Sequence, residues 1–421
     1  MTHDVSKTVL SNGIKVITKK MPHFRSISMG IWVNVGGRDE SSSESGMSHF
    51  IEHMIFKGTQ KRTAFQIAKE FDAIGGQTNA FTSTENTCYH AKVMDTHMET
   101  MVDILSDIFL HSLFDEREVE NERAVILQEI GMAEDSPDEY IHILSGMNFW
   151  RENSLGRSVL GNRDSVNRFD SGSIKDFFHR FYQPDRIVIS VAGNLDHRHF
   201  MDIAGPAFES IRPGLPFPER TAPDEECTVN LHYKNLEQVH ICLGTKGLSI
   251  TDPRRFAYSL MNTILGGNMS SRLFQEIREK RGLAYSVYSY VSSFVDTGMF
   301  GAYAGVAPAN MKQSIALILK EIFRIKEMRV DSNELHYAKE FTKGNLMLAS
   351  ESNDNQMVRV AQNETHFGRY VPLEEIIRSI DAVTEDDILH LAGDLFQDNR
   401  FSLTLLGPVD DKHPFDDILP M

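Results

Sequence analysis

Two stretches of this chain, far apart in sequence, follow the same pattern of residue types. They read FYQPDRIVISVAGNLD at residues 181–196 and LFQDNRFSLTLLGPVD at residues 395–410. Each pattern predicts a helix end, a short turn and a β-branched strand that finishes at a glycine-containing turn. Two further pairs match in the same order: FDEREVENERAVI from Phe114 with VDSNELHYAKEFT from Val330, and GIWVNVGG near residue 30 with HICLGTKG near residue 240. The repeating unit is therefore a whole domain rather than a short solenoid repeat.

Duplication agrees with the length, because 421 residues exceed the roughly 250 to 300 residues that one hydrophobic core supports. The segment RPGLPFPERTAPDEE, residues 212–226, is rich in proline and charge and cannot continue a helix or a central strand. We therefore predict an N-terminal domain over 1–211, a linker over 212–226 and a C-terminal domain over 227–421. Strands and helices alternate within each half, which favours an α+β fold with a mostly antiparallel sheet covered by helices.

The charge balance restricts the possible partners. Lys and Arg total 43 against 59 Asp and Glu, a net charge of −16. Nucleic-acid binding needs a basic surface, so we expect no nucleic-acid partner. The acidity either attracts basic peptides or only keeps a large protein dispersed, and composition leaves both readings open.

Export and membrane insertion are not expected. No apolar run has the length of a signal peptide core or of a membrane span. The three cysteines, Cys88, Cys227 and Cys242, show no CxxC spacing and are odd in number. They indicate neither a disulfide framework nor a cysteine zinc site, so we predict a cytoplasmic protein.

The residues that carry chemistry begin in MSHFIEHMIF, residues 47–56. In a helix, His49 and His53 are at positions i and i+4, so both imidazoles project from one face and can bind one Zn²⁺. Glu52 lies on nearly the same face, where its carboxylate can activate a water molecule. The order His-x-x-Glu-His is the inverse of the commoner zinc-peptidase motif. The alternative is that two histidines four apart are ordinary surface or core residues.

A catalytic zinc site needs a third protein ligand. The helical segment DEREVENERAVILQEIGMAEDSP, starting at residue 115, offers Glu122 and Glu129, which are seven apart on one face. Val125, Ile126 and Ile130 form an apolar stripe beside them and predict that this face packs inward. A buried carboxylate is costly unless it is paired or binds a cation. Either glutamate is a candidate ligand on this argument.

The second half has no HxxEH, and Asn345 falls near the position that pairs with Glu129 in the repeat, so we expect no second metal site. It does carry GGNMSSRLFQEIREKRGLAYSVYS from Gly266, which reads as a loop, a basic helix and a strand. In the first half, GGQTNAFTSTENTCYHA, residues 75–91, predicts a strand after a glycine turn.

HFIEHMIFKGT followed by NERAVILQEI resembles the pitrilysin/insulinase family of zinc peptidases, most closely its mitochondrial-processing-peptidase-like branch. The resemblance covers essentially the whole chain. It implies two duplicated α/β-sandwich domains, related by a pseudo-two-fold axis and forming half of a clamshell chamber. It also implies that His49, His53 and Glu129 bind one Zn²⁺ per chain, that Glu52 is the general base, and that Glu122 supports the site without ligating.

The resemblance extends to substrate-contacting residues. Family members carry an Arg and a Tyr seven apart that reach the substrate from the C-terminal domain, and these match Arg278 and Tyr285. The segment around Asn79, Ala80 and Phe81 matches an edge strand on which the substrate lies extended. The physical roles fit, since a guanidinium can hold a peptide carbonyl and a phenol can donate to a developing oxyanion.

The resemblance therefore implies a zinc metalloendopeptidase that hydrolyses short or unfolded peptides, and the acidity favours basic ones. Because the metal-site residues and the Arg/Tyr pair occur in one chain, we expect a homodimer. Two alternatives remain open: a noncatalytic scaffold, and one subunit of an obligate heterodimeric processing peptidase.

Overall fold

The computed structural model describes residues 4–151, 153–214 and 217–409 of the chain. Its strands are β1 (Val5–Val9), β2 (Lys15–Lys20), β3 (Ser26–Val33), β4 (Gln77–Thr82), β5 (Thr87–Met94), β6 (Ile187–Gly193), β7 (Val229–Tyr233), β8 (Val239–Lys246), β9 (Ala284–Ser293), β10 (Gly298–Val306) and β11 (Ser402–Gly407). Its α-helices are α1 (Met47–Met54), α2 (Ala64–Ala73), α3 (Met98–His111), α4 (Glu116–Asp135), α5 (Pro137–Phe149), α6 (Arg163–Val166), α7 (Ser171–Phe181), α8 (His197–Phe208), α9 (Arg255–Leu265), α10 (Met311–Glu327), α11 (Ser332–Ser350), α12 (Asn353–Phe367), α13 (Leu373–Ala382) and α14 (Glu385–Leu395).

The chain forms two compact units, and each is discontinuous in sequence. The first consists of residues 1–131, 157–219 and 347–372, and the second consists of 132–156, 220–346 and the chain from 373 onward. One boundary, between 219 and 220, falls inside the predicted linker 212–226. The predicted domains, 1–211 and 227–421, correspond to the two copies of the repeat. The compact units differ from them, because residues 132–156 belong to the second unit and residues 347–372 belong to the first. The end of the second predicted domain, 410–421, lies outside the described residues.

Five strands of the first sheet follow the same order as the five strands of the second, as the internal repeat predicts, and β1 is an additional edge strand of the first. The first sheet runs β1-β2-β6-β3-β5-β4 and the second runs β7-β11-β8-β10-β9. In each sheet one pair is parallel, β2 with β6 and β7 with β11, and the other neighbours are antiparallel. The matched segments form β6 and β11, and the GIWVNVGG and HICLGTKG segments form β3 and β8. The predicted α+β class and duplication are confirmed.

Helices cover both faces of the first sheet. One face packs against apolar side chains of α1, α3, α7 and α8, which include Phe50, Leu105, Phe177 and Phe200. The other face is covered by α12, whose Met357, Val360 and Ala361 pack on side chains of β2, β3, β5 and β6. Coverage of both faces explains why β3 and β6 are buried almost throughout rather than alternating between buried and exposed residues.

Helix α12 comes from the second half of the sequence but belongs to the first unit. The buried carboxylate of Glu364 accepts from Lys7 Nζ at 2.6 Å and lies 3.2 Å from Lys15 Nζ. Asp354 pairs with Lys92 at 2.9 Å. These ion pairs join α12 to β1, β2 and β5.

The second unit is built in the same way. Helices α9, α10 and α14 form a core with one face of its sheet. Helix α5, which comes from the first half of the sequence, covers the other face through Ile141 and Leu144. In each unit, one face of the sheet is therefore covered by a helix that comes from the other half of the sequence. Among the described helices, none combines the length and the apolar composition that crossing a membrane would require.

Candidate metal centre

The helix that carries the HxxEH pattern, α1, begins at a closely packed glycine. Gly46 precedes the helix with φ +93°, a left-handed conformation that favours glycine. The buried carboxylate of Glu40 accepts hydrogen bonds from the backbone N–H groups of Gly46 and Ser48, both at 2.7 Å. Burial raises the pKa of Glu40 to about 8, although both bonds lower it. These contacts satisfy N–H groups at the start of α1 and so fix the position of its side chains.

Gly46→Ala is expected to lower the free energy of unfolding by about 3 kcal/mol, because left-handed strain adds to a collision. A Cβ at Gly46 would lie 2.8 Å from Gly161 Cα and 2.8 Å from the Leu160 carbonyl oxygen. Gly75→Ala is the matched control: its φ is +62°, but a Cβ there would meet nothing within 4 Å. We expect the control to lose about 1 kcal/mol. Urea denaturation measures both, and equal losses would contradict the packing argument.

The three predicted metal ligands lie together. His49 and His53 are on one face of α1, with ring centroids 4.7 Å apart. Glu129, from α4, places its Oε2 atom 3.5 Å from His49 Nε2 and 3.6 Å from His53 Nε2. Within the described ranges of the chain, this is the one group of three or more His, Cys, Asp or Glu side chains whose ligand atoms all lie within 4.8 Å of one another.

These residues fit a zinc ion. Zinc lies about 2.0 to 2.2 Å from His nitrogen and carboxylate oxygen, so two ligands of a tetrahedral site are about 3.4 Å apart. The two N···O separations here are 3.5 and 3.6 Å. Burial, and secondarily the neighbouring His53, lowers the pKa of His49 to about 4, which keeps its imidazole in the neutral form that binds metal. Two histidines with one carboxylate form a three-ligand set of the catalytic type.

Glu122 contacts His53 at Nδ1, the ring nitrogen that does not face Glu129. Its Oε2 atom lies 3.0 Å from His53 Nδ1, and its Oε1 atom lies 2.5 Å from Lys57 Nζ. A carboxylate at Nδ1 selects the tautomer in which Nε2 offers its lone pair to a metal. The structure thus places Glu122 beside the ligand set, where its predicted supporting role requires it.

Glu122→Gln is expected to weaken zinc binding 10- to 100-fold, because an amide accepts a weaker hydrogen bond from His53 and leaves Lys57 without its carboxylate. Competition with a chromophoric chelator measures the zinc Kd. Glu118→Gln, one turn earlier on α4, is the matched control and should leave the Kd unchanged. An unaltered Kd in Glu122→Gln would remove Glu122 from the metal centre.

Glu52 lies next to the ligand set on α1. Its Oε2 atom accepts a hydrogen bond from Thr82 Oγ1 at 2.5 Å, and Oε1 has no hydrogen-bond partner among the described residues. Burial raises the pKa of Glu52, while the Thr82 hydroxyl opposes the shift. A carboxylate with a raised pKa suits a group that must first take a proton and then release it.

The strand β4 is an edge strand, as the family resemblance implies, since it ends the order of the first sheet. Asn79 and Ala80 line a cavity of about 330 Å³ that also reaches the glutamate of the motif. The ring of Phe81 packs against Trp32 and His90, with centroids 5.4 and 6.1 Å away. Substrate contact by these three residues stays a prediction.

Arg278 and Tyr285 lie together in the second unit. Arg278 is in a π-helical turn, Phe274–Glu279, and Tyr285 is at the start of β9. The guanidinium carbon of Arg278 lies 4.8 Å from the centroid of the Tyr285 ring, which is 79% exposed. Single-turn π-helices are frequent at functional sites. The pairing of these side chains is observed, whereas their approach to substrate stays a prediction.

One sequence expectation was wrong, and two contacts were missed. Val125 is 42% exposed, because the buried stripe of α4 runs through Val119, Ile126 and Ile130 instead. No sequence signal marked Glu40 as an anchor of α1. Strand alternation places Thr82 on the same face of β4 as Ala80, but no sequence signal indicated that its hydroxyl contacts Glu52.

Together these features describe a duplicated α+β protein with one candidate mononuclear zinc site on an inverted HxxEH helix. The family profile described as "Insulinase (Peptidase family M16)" matches residues 15–163, and that described as "Peptidase M16 inactive domain" matches residues 168–341. Relatives named "uncharacterized zinc protease" are 40% identical in Bacillus subtilis, over 96% of this chain and 98% of the relative, and 39% identical in Streptomyces coelicolor, over 97% and 90%. The chain belongs to the insulinase family, peptidase family M16.

Solved structures support the fold. A protease from Helicobacter pylori aligns with a TM-score of 0.87 and 22% identity, over 96% of this chain and 99% of that chain. A structure described as a peptidase M16 inactive domain, from Pseudomonas fluorescens, aligns with a TM-score of 0.90 and 17% identity, over 98% and 100%.

Proposed function

We propose that this protein is a zinc-dependent endopeptidase that cuts short or unfolded peptides. The observation that carries the proposal is the close grouping of His49, His53 and Glu129 beside Glu52, whose Oε1 has no hydrogen-bond partner in the described part of the chain. Membership of a peptidase family and relatives named zinc proteases support it.

The residues of the chain divide the chemistry between them. Zinc, when bound, supplies a Lewis acid that polarises the scissile carbonyl and makes water a stronger nucleophile at neutral pH. Glu52 takes a proton from the attacking water and delivers it to the leaving amine. Glu122 keeps His53 in the ligating tautomer. Tyr285 donates a hydrogen bond to the developing oxyanion and Arg278 holds a peptide carbonyl, as the family resemblance implies.

The edge of β4 selects the form of the substrate. Pairing with an edge strand needs free backbone N–H and C=O groups on the incoming peptide, which a folded protein keeps occupied. The cavity beside Asn79 and Ala80 would take substrate side chains next to the reacting bond. This favours extended, unstructured peptides over folded proteins.

The proposal includes a preference for basic peptides and assembly as a homodimer. The net charge of −16 favours basic peptides by long-range attraction. One chain carries both the metal-binding segment and the Arg278/Tyr285 segment, which supports a homodimer. Mass measurement in solution tests the dimer, and activity that appears only after a second chain is added would favour the heterodimeric alternative.

The test is digestion of unstructured peptides of about 20 residues, with fragments identified by mass spectrometry. We expect internal cleavage that stops when the metal is chelated and returns when zinc is restored. Zinc-loaded protein that yields no fragments from basic or acidic peptides would contradict the proposal and favour the noncatalytic scaffold.

A further inference from the structure

Thr82 is the last residue of β4, and its hydroxyl reaches across to α1. Thr82 Oγ1 donates to Glu52 Oε2 at 2.5 Å. Thr78, Ala80 and Thr82 are the half-buried positions of the strand, and they alternate with the exposed residues. Thr82 thus belongs to the β4 face that is turned away from solvent, where its hydroxyl reaches the motif glutamate.

The local structure holds Thr82 rigidly. Its backbone pairs with Thr87 at the closed end of the β4–β5 hairpin. The turn that follows is fixed by Ser83, which donates from its backbone N–H and its hydroxyl to the Asn86 carbonyl oxygen at 2.8 and 3.0 Å. The branched side chain of threonine has few allowed χ1 states, so a fixed backbone also fixes its hydroxyl.

We infer that Thr82 is a positioning residue: by holding Oε2 of Glu52, it aims Oε1 at the attacking water. Oε1 is then the atom that takes the proton. Thr82 also lies on the strand where substrate is to pair, so one hydrogen bond joins the substrate-binding edge to the general base. The inference rests on the proposed function and adds a residue that HxxEH does not contain.

If the Thr82 hydroxyl had only a structural role, its removal would have a different effect. If the hydroxyl only satisfied a partly buried carboxylate, its loss would lower stability without a selective effect on the chemical step. If it aims the base, its loss lowers kcat while KM and zinc content stay the same.

The experiment compares Thr82→Val, which keeps the shape and removes the donor, with Thr82→Ser, which keeps the donor. We expect kcat to fall about 30-fold in Thr82→Val, with KM changed less than about 3-fold, and Thr82→Ser to recover to within about 3-fold of wild type. The matched control is Thr87→Val, directly opposite, whose hydroxyl donates to the Val35 carbonyl at 3.0 Å. It should lose stability but keep kcat.

A crystal structure of Thr82→Val gives a readout that does not depend on turnover. We expect the Glu52 carboxylate to move by about 1 Å or more, or to split into two conformers. If wild-type protein with bound zinc cleaves no peptide, the proposed function fails, and this structure alone decides the role of Thr82.

Several results would overturn the inference. These are an unmoved Glu52, an unchanged kcat in Thr82→Val, loss of its zinc, Thr82→Ser as slow as Thr82→Val, or an equal fall of kcat in Thr87→Val. Loss of zinc would assign Thr82 to the stability of the metal centre. An equal fall in the control would assign the effect to the β4–β5 hairpin as a whole.

Discussion

Glu52→Gln is expected to keep one zinc per chain and to lose at least about 1,000-fold in kcat for peptide cleavage. The amide has the size of the carboxylate, and its oxygen can still accept a hydrogen bond from the Thr82 hydroxyl. It cannot take a proton from water. The helix α1 and the ligands His49 and His53 stay in place, so metal binding survives. Zinc content by elemental analysis and fragment formation by mass spectrometry, on the same sample, measure the two effects.

Glu118→Gln provides the control for this variant, because it removes one carboxylate from α4 outside the centre and should keep full turnover. Turnover of Glu52→Gln within 10-fold of wild type would defeat the assignment of Glu52 as general base. Loss of zinc from Glu52→Gln would instead make Glu52 part of the metal-binding set.

His49→Ala is expected to lose its metal and with it all measurable cleavage. The variant leaves His53 and Glu129 as the ligands, and two ligands bind zinc much more weakly than three. Bound zinc stabilises the native state by mass action, so zinc should raise the Tm of wild type and not that of His49→Ala. Calorimetry with and without zinc measures this difference.

The control for His49→Ala is His111→Ala, at the end of α3, where the imidazole lies 3.3 Å from Asp107 and is largely exposed. It should keep the zinc-dependent rise in Tm. A full complement of zinc in His49→Ala, or an equal loss in His111→Ala, would contradict the three-ligand site.

Part of the metal centre was predictable, because helical periodicity determines which side chains share a face within each helix. His49 and His53 are one turn apart and Glu122 and Glu129 are two turns apart, so each pair shares a face wherever the helices pack. Which glutamate ligates was open from periodicity, and only the family resemblance selected Glu129. In the structure Glu129 faces the Nε2 atoms of both histidines, whereas Glu122 contacts His53 Nδ1.

Contacts between elements were not predictable in the same way. Whether Thr82 reaches Glu52 depends on the distance between β4 and α1, which packing of the whole unit determines. The same holds for Glu40, whose partners at Gly46 and Ser48 are backbone groups with no sequence signature.

The exchange of α5 and α12 between the units was missed for a related reason. Duplicated halves have two similar sheets, and the apolar residues of a helix do not by themselves say which sheet they cover. The choice for α12 is made by long-range pairs such as Glu364 with Lys7 and Lys15, more than 300 residues away in sequence. The buried position of Glu364 makes these pairs specific, since an unpaired carboxylate there would be costly.

Whether the His49/His53/Glu129 centre is catalytic is decided by a titration of metal-free protein with zinc, in which peptide turnover and bound zinc are measured on the same sample. We expect turnover to rise linearly and to stop rising at one zinc per chain. Turnover in the metal-free protein, or one tightly bound zinc per chain with no turnover, would contradict this expectation.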